Sequence, residues 1–409
     1  MRENRITKAD IRKYRRILKE ATRRPSVIRT RDYLEASIVK PDFYVLDIGM
    51  GPNCNLRCPI CLADCGPDKE GLPSPEIVGK TLSQAKDQGI EFVELTNGEP
   101  IRDENREVLG VAAEYSSELP LSILTNGTFA STPESAKEWF SFLKKKGLDP
   151  AAGENHLVVS YGKSYHVPPE NYFNINYGFR EVFPNIPPGL FLKYRLINFG
   201  DGEDNLRRHN QIIRGIYEVF GTRRSVHATI DSDEFSVRVY PREGPPIKFR
   251  QQGFVPTGRG KKMKVADHLY PLRELTPQDL TLEQRAADSV ALSHTGDLNF
   301  GSVSSISDVR GQYGNISSTP LREILENMRR DRLFQVYKIG GSGFLYAVAQ
   351  KADPNFKVKG KTRDDVLRRI FKSRRLQQGI REVVEDPKNL FDSYFEHVNS
   401  LDLRKRHKV

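Results

Sequence analysis

Apolar residues along this chain follow two rhythms that take turns. Tyr44 to Ile48 (YVLDI) is a short apolar run, the pattern of a parallel strand buried on both faces. Pro75 to Gly89 then carries Ile77, Val78, Leu82 and Ala85 at helical spacing, with proline near its start and glycine past its end. That spacing predicts an amphipathic helix. The alternation recurs. Strands are predicted at Glu91 to Leu95, Leu121 to Leu124, His156 to Ser160 and Phe191 to Ile197, and helices at Pro133 to Gly147 and Asn205 to Gly221. Strand and helix taking turns over about 200 residues implies βα units around a parallel sheet, whose sites gather at the C-terminal strand ends.

Outside this region the pattern changes. Lys8 to Arg23 and Thr362 to Val384 read as basic amphipathic helices, and both are expected to pack on the barrel with solvated charges. Lys351 to Lys361 (KADPNFKVKGK) is the best linker candidate, and no internal repeat or low-complexity segment is evident.

Composition adds size and charge to the pattern. The chain has 409 residues, 37% hydrophobic and 29% charged, enough for a sizeable core. Its 64 basic and 53 acidic side chains leave a net charge of +11. Residues 1–40 carry +8, residues 351–409 carry +7, and the middle carries −4. The basicity therefore belongs to the ends, so a barrel tracking nucleic acid over its whole surface is not expected, although a basic arm could bind an acidic partner. No stretch approaches the roughly 18 apolar residues of a membrane span. The N-terminus is rich enough in arginine for an organelle transit peptide, but Glu3, Asp10 and Glu20 count against one. A soluble, cytoplasmic protein is expected.

The chemistry is concentrated in one string, GPNCNLRCPICLADCG, which holds all four cysteines: Cys54, Cys58, Cys61 and Cys65. A disulfide scaffold would spread its cysteines to close loops, so the cluster speaks for metal binding in a reducing compartment. The first three have C-x3-C-x2-C spacing. Three thiolates on one short loop can each hold one iron of a 4Fe-4S cube and leave the fourth iron open. The competing reading is a four-cysteine zinc site that uses Cys65, but structural zinc usually takes two pairs separated by a longer segment. Cys65 otherwise reads as a small buried residue.

The loop from Cys54 to Cys61 resembles the signature of the radical S-adenosylmethionine (radical SAM) enzymes. The resemblance implies one 4Fe-4S cluster on Cys54, Cys58 and Cys61, with S-adenosylmethionine (SAM) chelating the remaining iron. It extends to Thr96-Asn97-Gly98-Glu99-Pro100, which sits at the end of the next strand where the family has a Gly-Gly-Glu-Pro-like segment that binds the SAM amino group. Asn97 replaces the first glycine there. Glu99 would accept from the ammonium, and Gly98 would let the backbone approach. Ser160, Asn126 and Arg195, at or near later strand ends, are further candidates for SAM contacts, Arg195 for its carboxylate. Ile60 departs from the family's aromatic residue before the third cysteine, so ring stacking on adenine is not expected.

What the resemblance implies for the architecture is a partial (β/α)6 TIM-like barrel over residues 41–262. A helical N-terminal arm (1–40), a smaller α+β C-terminal extension (263–350) and a basic helical tail (351–409) complete it. Phe254 to Gly260 and Ser293 to Gly314 resemble the SPASM-like extension that carries auxiliary clusters in relatives, yet this one has no cysteine. A second cluster is therefore excluded, and an external electron donor of the flavodoxin or ferredoxin type is expected. Tyr161, Tyr165 and His166 follow the fourth strand as candidates for substrate binding or proton and hydrogen-atom transfer. The extension leans the substrate toward a peptide or protein, with a sugar- or nucleoside-like metabolite as the alternative. A non-enzymatic zinc-binding protein whose arms contact nucleic acid is the remaining reading.

Overall fold

The computed structural model describes residues 43–152, 154–198, 202–221, 227–231, 234–253, 273–275, 289–300, 313–360, 363–386, 388–394 and 396–397. The N-terminal arm 1–40 and Phe254 to Gly260 lie outside the described residues, as does much of 293–314. Ten strands form one sheet: β1 Val45–Gly49, β2 Phe92–Thr96, β3 Leu121–Thr125, β4 His156–Tyr161, β5 Leu192–Asn198, β6 His227–Asp231, β7 Glu234–Val239, β8 Ile247–Gly253, β9 Ser289–Leu292 and β10 Leu298–Phe300. Their order is β10-β9-β1-β2-β3-β4-β5-β8-β7-β6. Every pair from β9 to β8 along that order is parallel. The three flanking pairs are antiparallel. Among the described residues the two end strands do not pair, so the sheet is open. The expected mostly parallel α/β architecture is thus present. Its six strands are β1 to β5 and β8, and β9 adds a seventh parallel strand beside β1.

Helices α1 Pro75–Ala85, α2 Arg106–Glu114, α3 Pro133–Lys145, α4 Pro169–Val182 and α5 Gly202–Phe220 link the first strands. Gly89, at φ +81°, ends the first of these segments, as its glycine predicted. Thr132 caps α3 by accepting from Ser135 N–H. Further along the chain, α6 Leu321–Arg330, α7 Arg332–Ala352, which is broken at Gly341 (φ +64°), α8 Arg363–Phe371 and α9 Arg374–Val383 form a helical group.

Side chains alternate across a strand, and here the two faces differ in chemistry. One face holds Leu46, Ile48, Val93, Leu95, Ile123, Leu157, Val159, Tyr194 and Phe249, all buried. It packs against the helices: the Tyr161 ring meets Tyr172 of α4 and stacks on His209 of α5. Registered on the opposite face are Asp47 and Glu94, Ser160 and Arg195, and Lys193 and Lys248. The strands are therefore apolar on one side and polar on the other, where continuous apolar runs predict two apolar faces.

Two readings change. Thr362 to Val384 is two helices, because the chain breaks at Ser373, whose hydroxyl accepts from Leu376 N–H to cap α9. Lys351 to Lys361 is not a linker: α7 runs to Ala352, Phe356 and Val358 are buried, and Val358 O accepts from Leu275 N–H. The tail is docked as well. Arg381 forks onto Asp331 at 2.8 and 2.7 Å, and the same carboxylate accepts from Tyr313 Oη and from Leu333 N–H. Ion pairing and the buried Ile370, Leu376 and Ile380 hold this basic segment on the fold.

Candidate functional site

The cysteine loop is shaped before any ligand is considered. It leaves β1 with Met50 N–H donating to Thr96 O of β2 at 2.8 Å. It then returns on itself through Cys54 N–H to Gly66 O (3.1 Å) and Gly66 N–H to Pro52 O (3.0 Å). A side chain at Gly51, where φ is +88°, would stand 2.1 Å from Gly71 O, so the crossing needs glycine. The ring of His294, from the turn between β9 and β10, packs on Gly71. Cys54, Cys58 and Cys65 are buried and Cys61 is half-buried, with no disulfide among them. All four border one cavity, together with Asn97, Gly98, Glu99, Asn126, Ser160, Tyr165 and Arg195. The predicted cluster ligands and SAM contacts thus converge at the C-terminal ends of β1 to β5. Tyr161 does not join them, since it lies on the helix-packed face, one residue after Ser160. His166 is exposed and adopts φ +54°.

The end of β2 forms one wall of the cavity. Asn97 and Gly98 both have positive φ, +60° and +66°. Gly98 N–H donates to Cys65 Sγ at 3.2 Å, and the Cys65 thiol reaches Gly51 O at 3.8 Å. Cys65 thereby ties the cysteine loop to β2, and the neighbouring Cys61, with burial, keeps its thiol protonated. We expect Gly98→Ala to destabilise the protein by about 2–4 kcal/mol, because its Cβ would stand 2.4 Å from Asn53 O and 2.7 Å from Gly51 O at a left-handed φ. Chemical denaturation of both proteins checks this; an unchanged midpoint would mean that the loop yields freely.

Glu99 is 1% exposed. Its carboxylate accepts from Thr125 Oγ1 at 2.6 Å, Asn126 N–H at 2.7 Å and Ile101 N–H at 3.0 Å. Burial pushes its pKa up to about 7, and those three donors pull the other way. Asn126 reaches from there to the cysteine loop, its Nδ2 donating to Asn55 Oδ1 at 3.0 Å and lying 4.0 Å from Cys54 Sγ. Thr125 and Asn55 belong to this network although sequence reasoning did not single them out. On the far wall, Arg195 Nη2 donates to Ser160 Oγ at 3.4 Å. Arg195 Nε is buried without a partner, a donor left for an acceptor in the cavity. Deeper on the same face, burial raises the pKa of both Asp47 and Glu94, each further from ionisation than an ordinary carboxyl.

Among the described residues, no three His, Cys, Asp or Glu side chains converge on a single metal-ion position.

No family model matches the chain. It is 32% identical over 107 residues to the GTP 3',8-cyclase of Campylobacter jejuni strain RM1221, a stretch covering 25% of this chain and 32% of that protein. The GTP 3',8-cyclase of Aquifex aeolicus strain VF5 is 31% identical over 110 residues, with the same coverage of 25% and 32%. The match thus spans about a third of the length of these curated relatives. Among solved structures, Streptococcus suis SuiB bound to its precursor peptide SuiA superposes with a TM-score of 0.48 at 14% identity, over 83% of this chain and 74% of that one.

Proposed function

We propose that the chain belongs to the radical SAM superfamily, and that the cavity at the strand ends holds one 4Fe-4S cluster and SAM and serves hydrogen abstraction from a substrate C–H bond. The observation that carries this reading is the convergence of Cys54, Cys58 and Cys61 with the Asn97-Gly98 strand end and the unpartnered Arg195 Nε around one cavity. The residues present fit the group. The three thiols would ligate iron, Arg195 would fork onto the SAM carboxylate, and the left-handed Asn97-Gly98 turn exposes backbone for the SAM amine. When bound and reduced, cluster and SAM supply a 5′-deoxyadenosyl radical, the hydrogen-abstracting species.

What the chain itself contributes is position and exclusion. Glu99 braces the ends of β2 and β3 against each other. Asn126 fixes Asn55, and with it the first cysteine. The apolar Leu56, Ile60 and Leu62 line the cavity and keep competing hydrogen donors from the reacting carbon. Tyr165 borders the same space and is the candidate for a proton or hydrogen-atom donor. With no second cluster to relay electrons, a flavodoxin- or ferredoxin-type partner supplies them. No helix among the described residues is long and apolar enough to cross a membrane, and a cytoplasmic location suits an oxygen-sensitive cluster.

Of the two substrate classes, a peptide and a small metabolite, the second is favoured by one observation, the charged sheet face developed below. The relatives' name says that they act on GTP, a small anionic molecule.

Anaerobic reconstitution with iron and sulfide should yield about four irons per chain and dithionite-dependent 5′-deoxyadenosine. Bound zinc without SAM cleavage would overturn the reading. A molecule that acquires deuterium from labelled 5′-deoxyadenosine is the substrate.

A further inference from the structure

The polar face of the sheet does not stop at the cavity. Register places Lys193 of β5 opposite Lys248 of β8, and Lys248 opposite Arg238 of β7, in one row. Arg195 stands opposite Arg250 in the next row. Directly opposed residues share a face. The intervening Leu192, Tyr194, Val237, Val239, Ile247 and Phe249 are buried on the other one. Lys248, Arg250 and Arg238 are exposed, and Lys193 and Arg195 are half-buried.

Five cations thus occupy a patch roughly 10 by 7 Å, from strand spacings of about 4.8 Å and two-residue rises of about 6.7 Å. Like charges directly opposite each other destabilise a sheet. Among the described residues no salt bridge relieves Lys193, Lys248, Arg250 or Arg238. Burial, then Lys248 and Arg250, press the Lys193 pKa down to about 8, with Glu154 opposing. Of the carboxyls of this face, Asp47 on β1 and Glu94 on β2, Glu94 feels the positive charge of Arg195. Arg195 belongs to both places: it borders the cavity and begins the second row, with its Nε unpartnered.

We propose that Lys193, Lys248, Arg238 and Arg250, the cations of these rows left over once Arg195 serves SAM, bind the anionic part of the substrate, a small molecule carrying at least two phosphate-type or carboxylate groups, with its reacting carbon toward the cysteine loop. This rests on the reading of the cavity as the reaction site. The polarity is directional, because the anionic end is held on β5, β8 and β7 while the carbon skeleton extends over the ends of β1 to β4. A peptide has no need of two opposed rows of cations beside the reacting position, and an RNA strand would need a longer track than five charges on one patch.

The test is equilibrium binding to the full chain, without SAM or reductant, at ~50 mM salt, where surface charge is modestly screened. The probes are tripolyphosphate, citrate and a short oligouridine. Tripolyphosphate or citrate should bind, and whichever is tighter names the phosphate or carboxylate source. Lys248→Gln/Arg250→Gln should weaken that binding about tenfold or more, since two charge-assisted contacts are lost. Its melting temperature should be no lower than the wild type, because removing opposed like charges relieves the sheet. A control on α9 and its approach, Lys372→Gln/Arg375→Gln, both exposed, should leave binding unchanged. Binding of oligouridine alone, no binding of either small anion, or equal loss in both double variants would overturn the proposal. The measurement needs no SAM cleavage, so it can fail while 5′-deoxyadenosine still forms, and the reverse.

Discussion

Cys58→Ala is expected to lower bound iron from about four per chain to less than about one and to abolish 5′-deoxyadenosine formation, whereas Cys65→Ala keeps both. The contrast follows from where the two thiols sit. Cys58 borders the cavity between Cys54 and Cys61 in a loop whose own backbone, through Cys61 N–H to Cys58 O at 3.2 Å, sets the turn. On the proposed ligation, loss of its sulfur turns a three-point attachment into a two-point one and takes the protein ligand from one iron. Cys65 also borders the cavity, but its Sγ is occupied by Gly98 N–H at 3.2 Å and sits against Gly51 O. Alanine there leaves one N–H short of an acceptor, a cost of about 1–3 kcal/mol, and should appear as a lower denaturation midpoint with iron retained. Iron analysis and SAM-cleavage assays on the two variants decide the matter. Loss of iron from Cys65→Ala would make Cys65 a ligand and reopen the four-cysteine reading.

Much of this geometry was legible beforehand, and the reasons differ from element to element. The helix from Pro75 and the strands at Leu121 and His156 were readable because local pattern and tertiary role agree. Helix α7 was not, because it is buried on nearly all sides and is broken at Gly341, between Gly340 and Gly343; an apolar segment without a polar stripe has no helical period to detect. Strands β7 and β8 were missed for the reverse reason. Their exposed Arg238, Lys248 and Arg250 break the apolar run that marks a buried strand, and those same residues stand in the cation rows. Tyr161 illustrates a finer limit. Its neighbourhood was visible, but period-two alternation puts it opposite Ser160, and only the pairing register says which of the two faces the cavity. Glu99 was legible as a position and not as a set of partners, since Thr125 and Asn126 are brought to it by strand pairing over more than 25 residues of chain.

Those partners make Glu99 the second large effect. Glu99→Ala would leave the Thr125 hydroxyl and the Asn126 and Ile101 N–H groups without their acceptor in a buried site, and should destabilise the protein by about 3–5 kcal/mol. It should also loosen the β2 and β3 ends and reduce SAM cleavage more than removal of any exposed residue. Glu99→Gln separates charge from packing. An uncharged amide keeps the volume and one acceptor oxygen, but its NH2 must face the Asn126 N–H that the carboxylate accepted. The wild-type carboxyl has its pKa raised from an ordinary 4.5 to about 7, so between those values the folded protein holds a proton that the unfolded chain has released. The stabilisation this gives is complete below the unfolded value and is lost as pH rises through the folded one. Wild-type stability relative to Glu99→Gln should therefore fall by about 3 kcal/mol between pH 4.5 and pH 7. Urea denaturation of both proteins across that range, without iron, reads the difference directly. Parallel stability curves would mean that the three donors hold Glu99 ionised throughout, and that the brace between β2 and β3 is an anion at every pH the protein meets.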